Sequence, residues 1–226
     1  KVLEYSHSAG IESYRNKLAA YYNRFNIPVS GSDIIITTGG SEALSIAFQT
    51  CFNPGDEVII PEPFYANYLG FANLVSAKIV PVCLDERNNY HLPDKKGVVQ
   101  KVSKKTKAII FVNYGGLLCD LDELNALAKK NKIILIQDSA QSLGAKYNKK
   151  EITQYADFTI FSFQAIKHIT SGDGGILFVP HDDLYKRGKL LRWYGIDRDN
   201  NRKDFRCEAD IPEWGFKFHM NDINAS

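Results

Sequence analysis

Short apolar runs alternate along the chain with stretches in which apolar side chains recur every three or four positions. Ile34 to Thr38 (IIITT), Glu57 to Pro61 (EVIIP), Lys78 to Leu84 (KIVPVCL) and Lys107 to Tyr114 (KAIIFVNY) read as strands, as do Lys132 to Gln137 (KIILIQ), Asp157 to Phe163 (DFTIFSF) and Gly175 to Val179 (GILFV). Several are apolar on both faces, which suits a sheet covered by helices on both sides. Between them, Ile11, Tyr14, Leu18, Tyr21, Tyr22 and Phe25 line one helical face, and Leu44, Ala47, Phe48 and Cys51 another. Asp120, followed three residues later by Glu123, predicts a capping arrangement that opens a helix over 121–130. The alternation predicts an α/β fold with a mostly parallel, mixed seven-stranded sheet.

No repeat, low-complexity segment or linker interrupts this pattern, so residues 1–226 read as one domain. A net charge of +2 argues against nucleic acid or an anionic membrane as partner. The one basic cluster, Lys101 to Lys107 (KVSKKTK), suits a solvated helix end. Cys51, Cys83, Cys119 and Cys207 lie far apart with no CxxC pair. Cys51 and Cys83 stand in apolar surroundings and read as core thiols, which suggests a reducing compartment and no structural metal. No apolar stretch reaches the length of a membrane span and no signal peptide is evident, so the cytoplasm is the expected location. The final HMNDINAS begins like a helix and soon stops, so the chain reads as a segment of something longer.

Candidate chemistry gathers at the ends of the strand-like runs. Lys167 follows the run that ends at Phe163 and precedes a glycine cluster, GDGG at 172–175. Ligands of open α/β sheets bind beyond the carboxyl ends of strands, although a lysine there also reads as an ordinary surface residue. Asp138 directly follows KIILIQ and reads either as a cap for a following helix or as the partner of a cationic ring nitrogen. Gly39 and Gly40 open GGSEAL, either as a plain turn or as an anion nest at a helix N-terminus. Tyr65 ends EVIIPEPFY, placed to stack on a flat ring or to pack in the core. No P-loop or dinucleotide fingerprint occurs. An amine able to form a Schiff base, an acid for a pyridinium, an anion nest and a stacking aromatic together meet the needs of pyridoxal phosphate.

With these residues in view, the chain resembles the fold-type I aminotransferases over nearly its whole length. YSHSAGIESYR, TTGGSEAL and NPGDEVIIPEPFYANY, within residues 1–109, resemble the class I (aspartate aminotransferase-like) branch. From about residue 110, NYGGLLCDLDEL, DSAQSLGAKY, FSFQAIKHITSGDGG, LLRWYGIDRDN and WGFKFHMNDINAS resemble the DegT-type sugar aminotransferases. The change of branch suggests a chimera joined near 110. The resemblance implies a large, cofactor-binding domain without the C-terminal small domain and its substrate-binding arginine.

It also implies roles for single residues. Lys167 is then the Schiff-base lysine, Ser162 a phosphate ligand and Asp138 the partner of the pyridine nitrogen. Ala140 packs under the ring, Gln141 approaches its hydroxyl, and Asn113 stands where class I enzymes carry an NPxNPTG motif. Gly40, Ser41 and Glu42 offer backbone N–H groups to the phosphate, and Tyr65 stacks. Tyr5 and Lys217 serve the neighbouring subunit of a homodimer with composite active sites. The expected activity is amino transfer from an amino acid to a keto acid or keto-sugar nucleotide. The alternatives are a pyridoxal-phosphate-dependent sugar dehydratase or lyase, and a fragment that binds the cofactor without turnover. Retention of Lys167 counts against the dehydratase branch that replaces this lysine.

Overall fold

The computed structural model describes residues 7–24, 27–88, 95–197, 199, 211 and 213–218. Its helices are α1 (Glu12–Asn23), α2 (Gly40–Cys51), α3 (Asn67–Leu74), α4 (Lys95–Val99), α5 (Leu121–Asn131) and α6 (Asp182–Arg192). Its strands are β1 (Ile34–Thr37), β2 (Glu57–Glu62), β3 (Lys78–Cys83), β4 (Thr106–Val112), β5 (Ile134–Asp138), β6 (Lys146–Tyr147), β7 (Lys150–Glu151), β8 (Phe158–Ser162) and β9 (Gly175–Phe178). Seven of them form one sheet in the order β1-β9-β8-β5-β4-β2-β3. The pairs β2–β3, β2–β4, β4–β5 and β5–β8 are parallel and β1–β9 is antiparallel, so the fold is α/β with a mixed, mostly parallel sheet. All seven predicted runs are strands of this sheet: β1, β3, β8 and β9 are trimmed by a residue at one or both ends, β2 runs one residue further, and β4 and β5 are shifted by one or two residues at each end.

The trimmed ends have local causes. Lys132 does not begin β5; it closes α5 in the left-handed conformation (φ 55°), which delays the strand to Ile134. β4 stops at Val112, whose pairing with Asp138 at the end of β5 is closed by a last ladder bond from Asn113 N–H to Asp138 O at 3.1 Å. The sequence pattern gave no sign of the two-residue ribbon β6–β7. Its turn residues, Asn148 and Lys149, both take positive φ (48° and 66°), the geometry of a tight hairpin.

By internal packing the chain forms two compact units, Lys1–Ile46 with Ser162–Ser226, and Ala47–Phe161. In the second, Ile59, Ile109, Phe111 and Leu135 of the parallel strands meet Leu121, Leu124 and Ala128 of α5 in one buried cluster. Helix α5 starts as predicted, with Asp120 Oδ1 accepting the Glu123 amide at 3.1 Å. β3 lies at the sheet's edge and turns Val82 inward and Cys83 outward. Cys83 is therefore exposed, contrary to its reading as a core thiol, and its thiol donates to Glu62 Oε1 at 2.9 Å. Cys51 is buried as expected.

In the first unit, the buried stripe of α1 is Arg15, Ala19 and Tyr22, while Tyr14, Leu18 and Tyr21 are only half-buried. Phe25 lies outside the described residues. An arginine takes the inward position because its guanidinium donates to the carbonyls of Gly10 (3.1 Å from Nε) and Gly31. Arg192 at the end of α6 is likewise buried and donates to the Ser8 carbonyl. Burial pulls its guanidinium down to about 10 against the attraction of Glu42. Among the described residues no helix is long and apolar enough to cross a membrane. No group of three or more metal-ligating side chains occurs among them either.

Candidate active site

The acid is built by the second unit. Asp138 is the last residue of β5 and nearly all of it is buried. Its Oδ1 accepts the amide of Ala140 at 3.1 Å, and its Oδ2 accepts the hydroxyl of Tyr68 at 2.6 Å, a length typical of charge-assisted bonds. β5 runs into turns rather than a helix, so Asp138 is not a helix cap. Burial first, and then the charge of Asp138, push the Tyr68 phenol far above the ordinary tyrosine range, so it remains a donor.

The same unit places the neighbouring candidates. Gln141 Oε1 accepts the amide of Gly115 at 2.6 Å, which commits the carbonyl end of its amide and leaves the NH2 end as the donor. Asn113 is fully buried, with Nδ2 donating to Ser139 Oγ at 3.3 Å and Oδ1 accepting the Cys119 amide at 3.2 Å. Both ends of its amide thus hold the protein's own turns. Tyr65 is half-exposed at the start of α3, its ring edge-on to Tyr68 with centroids 5.7 Å apart. Asn67 Nδ2 donates to the Tyr65 hydroxyl at 2.8 Å and fixes the ring's tilt.

The candidate amine and the candidate anion cradle belong to the first unit. Lys167 lies in the loop that leaves β8, and its amide donates to the Gln164 carbonyl at 2.9 Å. The loop is closed at its base by Phe163 N–H to Gly174 O (2.7 Å) and Ser171 N–H to Phe163 O (3.1 Å). Residues 164–166 and 168–173 are exposed, and Lys167 alone among 164–173 turns partly inward. Ser162, five residues earlier, is half-buried, and its Oγ accepts the Gln164 amide at 3.3 Å.

Helix α2 begins at Gly40, and its first intrahelical bond runs from Ala43 N–H to Gly39 O at 3.2 Å. The amides of Gly40, Ser41 and Glu42 are therefore its first-turn donors, at the positive end of the helix dipole. The Glu42 carboxylate turns back onto Thr38, its Oε2 accepting the Thr38 amide and hydroxyl at 2.5 Å each. Gly175 packs directly under this turn. A Cβ there would sit 2.5 Å from the Gly39 carbonyl carbon and 2.6 Å from the Gly40 nitrogen.

Two predicted residues stand apart. Tyr5 lies outside the described residues. Lys217 is exposed in a strand-like segment that bridges to Trp193, with Phe216 N–H donating to Leu191 O at 2.7 Å. Beside it Phe216 and Phe218 are half-buried and stacked at 4.9 Å, while Trp214 is exposed. Sequence reasoning missed Tyr68 and Gly175. The aromatic three positions after Tyr65 could have flagged the first, and the unexplained last glycine of GDGG the second.

The chain belongs to the DegT/DnrJ/EryC1/StrS aminotransferase family, whose model matches residues 11–226. That match runs from within the first class I-like stretch through the second half of the chain. Among solved structures, AtS13 from Actinomadura melliaura is similar at 32% identity and a TM-score of 0.79, over 94% of this chain and 56% of AtS13. The sugar aminotransferase CalS13 from Micromonospora echinospora is similar at 27% identity and a TM-score of 0.82, over 99% of this chain and 59% of CalS13. The PLP form of Spr1654 from Streptococcus pneumoniae is similar at 26% identity and a TM-score of 0.78, over 99% of this chain and 58% of Spr1654. The chain thus spans somewhat over half the length of these proteins.

Proposed function

We propose that the chain is the cofactor-binding part of a pyridoxal-phosphate-dependent aminotransferase. It takes an amino group from an amino acid and delivers it to a keto-sugar nucleotide or a keto acid. The likeness to CalS13 favours the sugar acceptor. The observation that carries the reading is Asp138, a buried carboxylate at the end of a central parallel strand, fixed by two donors.

The donor set fits the cofactor. Gly40, Ser41 and Glu42 supply three amides for a phosphate, and Ser162 adds a hydroxyl. Gln141 offers an N–H suited to the ring's anionic oxygen. Ala140 is small enough to pass under a flat ring, and Tyr65 is exposed enough to cover one. Asn113 acts indirectly, by holding Ser139 and the turn before Cys119. Tyr5 and Lys217 serve the partner subunit of a homodimer.

When bound, pyridoxal phosphate supplies an electron sink for the substrate carbon that loses its proton. Asp138 keeps the ring nitrogen protonated, which the sink requires. Lys167 would hold the cofactor through its ε-amine, and the same nitrogen would move the proton. The homodimer has support in large apolar side chains left in water on both units: Tyr114 and Leu117 at 77% and 74% exposure, and Ile166 at 84%. Free, widely spaced cysteines fit a cytoplasmic setting.

The test is an absorbance spectrum of the protein with added pyridoxal phosphate, before and after borohydride, followed by peptide mapping. A pyridoxyl group on Lys167 is expected, and one on any other lysine overturns the assignment. Light scattering of the loaded protein tests the dimer, and full-strength binding by a monomer counts against it.

A further inference from the structure

Tyr68 stands in the first turn of α3, wholly buried, and reaches across to the end of β5. Its hydroxyl lies 2.6 Å from Asp138 Oδ2, while the opposite oxygen takes the Ala140 amide at 3.1 Å. Donors on two different elements therefore fix both carboxylate oxygens, and the carboxylate cannot rotate without breaking one of them. We infer that Tyr68 is a positioning residue, which holds Asp138 in the orientation that serves the cofactor's ring nitrogen. The inference rests on the assignment of Asp138 proposed above.

The surroundings of Tyr68 separate this role from that of an ordinary core tyrosine. Its ring packs against Phe64 (6.2 Å between centroids) and edge-on against Tyr65 (5.7 Å), contacts that a phenylalanine would make equally well. Only the hydroxyl distinguishes tyrosine here, and the hydroxyl is spent on Asp138. The phenol resists ionisation because it is buried beside a carboxylate, so it remains a donor across the working pH range. Tyr65 and Tyr68, three residues apart, share one face of the turn that opens α3. One short segment thus presents a ring for stacking and a hydroxyl for holding the acid.

The test compares Tyr68→Phe and Asp138→Asn in the protein loaded with pyridoxal phosphate that is isotopically labelled at its ring nitrogen. The nitrogen's NMR resonance reads its protonation, and titration gives cofactor affinity. Tyr68→Phe should move the resonance part of the way that Asp138→Asn moves it. It should also weaken cofactor binding about tenfold, the size expected for losing a hydrogen bond to a charged group. The thermal midpoint of the cofactor-free protein checks that the fold is kept. If Asp138→Asn moves the resonance and Tyr68→Phe does not, the role of Tyr68 is overturned while that of Asp138 stands. If neither moves it, both assignments fall. Should the phenylalanine variant not fold, difluorotyrosine at position 68 keeps the shape and donates more strongly. It should shift the resonance relative to the native protein, and an unshifted resonance overturns the inference.

Discussion

Asp138 is the last residue of the parallel strand β5 and Lys167 lies in the loop that leaves the parallel strand β8, yet they are held in opposite ways. Asp138 is buried, belongs to a strand paired on both sides, and has both carboxylate oxygens tied to donors. Lys167 lies in an exposed loop whose base is pinned by two backbone bonds, and no carboxylate among the described residues forms an ion pair with it. The contrast is the one that the two proposed roles would call for. An electrostatic partner works by being fixed in advance, because orientation energy spent during the reaction is lost from it. An amine that first carries the cofactor and then moves a proton needs travel, which a half-exposed lysine on a loop retains.

Replacing each group should therefore fail differently. Lys167→Ala should have the largest effect: no borohydride-trapped cofactor on that peptide, and amino transfer slower by about a thousandfold or more. Non-covalent cofactor binding should survive, because the phosphate cradle and the acid are untouched. Equilibrium dialysis with pyridoxal phosphate separates these outcomes, and covalent capture persisting in the variant would remove Lys167 from its role. Asp138→Asn should come next, costing about 1.5–3 kcal/mol of cofactor affinity through loss of a charge-assisted bond. The asparagine keeps one oxygen for the Ala140 amide and turns its NH2 to the Tyr68 hydroxyl, which can accept instead of donate, so the melting temperature should fall only modestly. An unchanged dissociation constant for pyridoxal phosphate would contradict the pairing.

The same contrast explains how much was legible beforehand. The strands of the main sheet were readable because a sheet buried on both faces demands unbroken apolar runs, as in Ile34–Thr37 and Phe158–Ser162. Asp138 and Lys167 could be picked out because a charge that follows such a run is conspicuous. Tyr68 was not, because a tyrosine among aromatics looks like packing until its hydroxyl is seen beside a carboxylate 70 residues away. Arg15 and Arg192 escaped for a related reason. Pattern reading assigns arginine to the surface, whereas these two enter the interior to satisfy backbone carbonyls. Cys83 failed the other way, since the apolar run of an edge strand looks like that of a central one.

The anion cradle offers a milder perturbation than either charged group. Gly175→Ala would drive a methyl into the Gly39–Gly40 peptide, where backbone atoms lie within 2.7 Å of the new carbon. The turn must then shift, at a cost of roughly 1–3 kcal/mol typical of overpacking. Because the amides of Gly40, Ser41 and Glu42 ride on that turn, affinity for inorganic phosphate should fall along with the thermal midpoint. Asp138 and Lys167 are not touched, so the borohydride label should still map to Lys167. Phosphate affinity preserved alongside lowered stability would separate Gly175 from the cradle.

The smallest effect is expected at the ribbon β6–β7, which holds none of the proposed cofactor residues. Glu151 is buried, its carboxylate 3.4 Å from the ammonium of the half-exposed Lys146 opposite. Desolvation raises its pKa, and the pull of Lys146 offsets this only in part. A carboxylate whose pKa is raised by folding binds its proton more tightly in the folded state. The cost of burying its charge is thus absent in acid and grows as pH rises through the raised value. Glu151→Gln keeps the shape and removes that cost, while Lys146 can turn to water. The variant should therefore melt slightly above the native protein at pH 8, and the difference should shrink as pH falls towards about 4, near the ordinary glutamate value. Melting curves across that interval decide it. A variant less stable at pH 8 would mean that the contact with Lys146 outweighs the desolvation of Glu151.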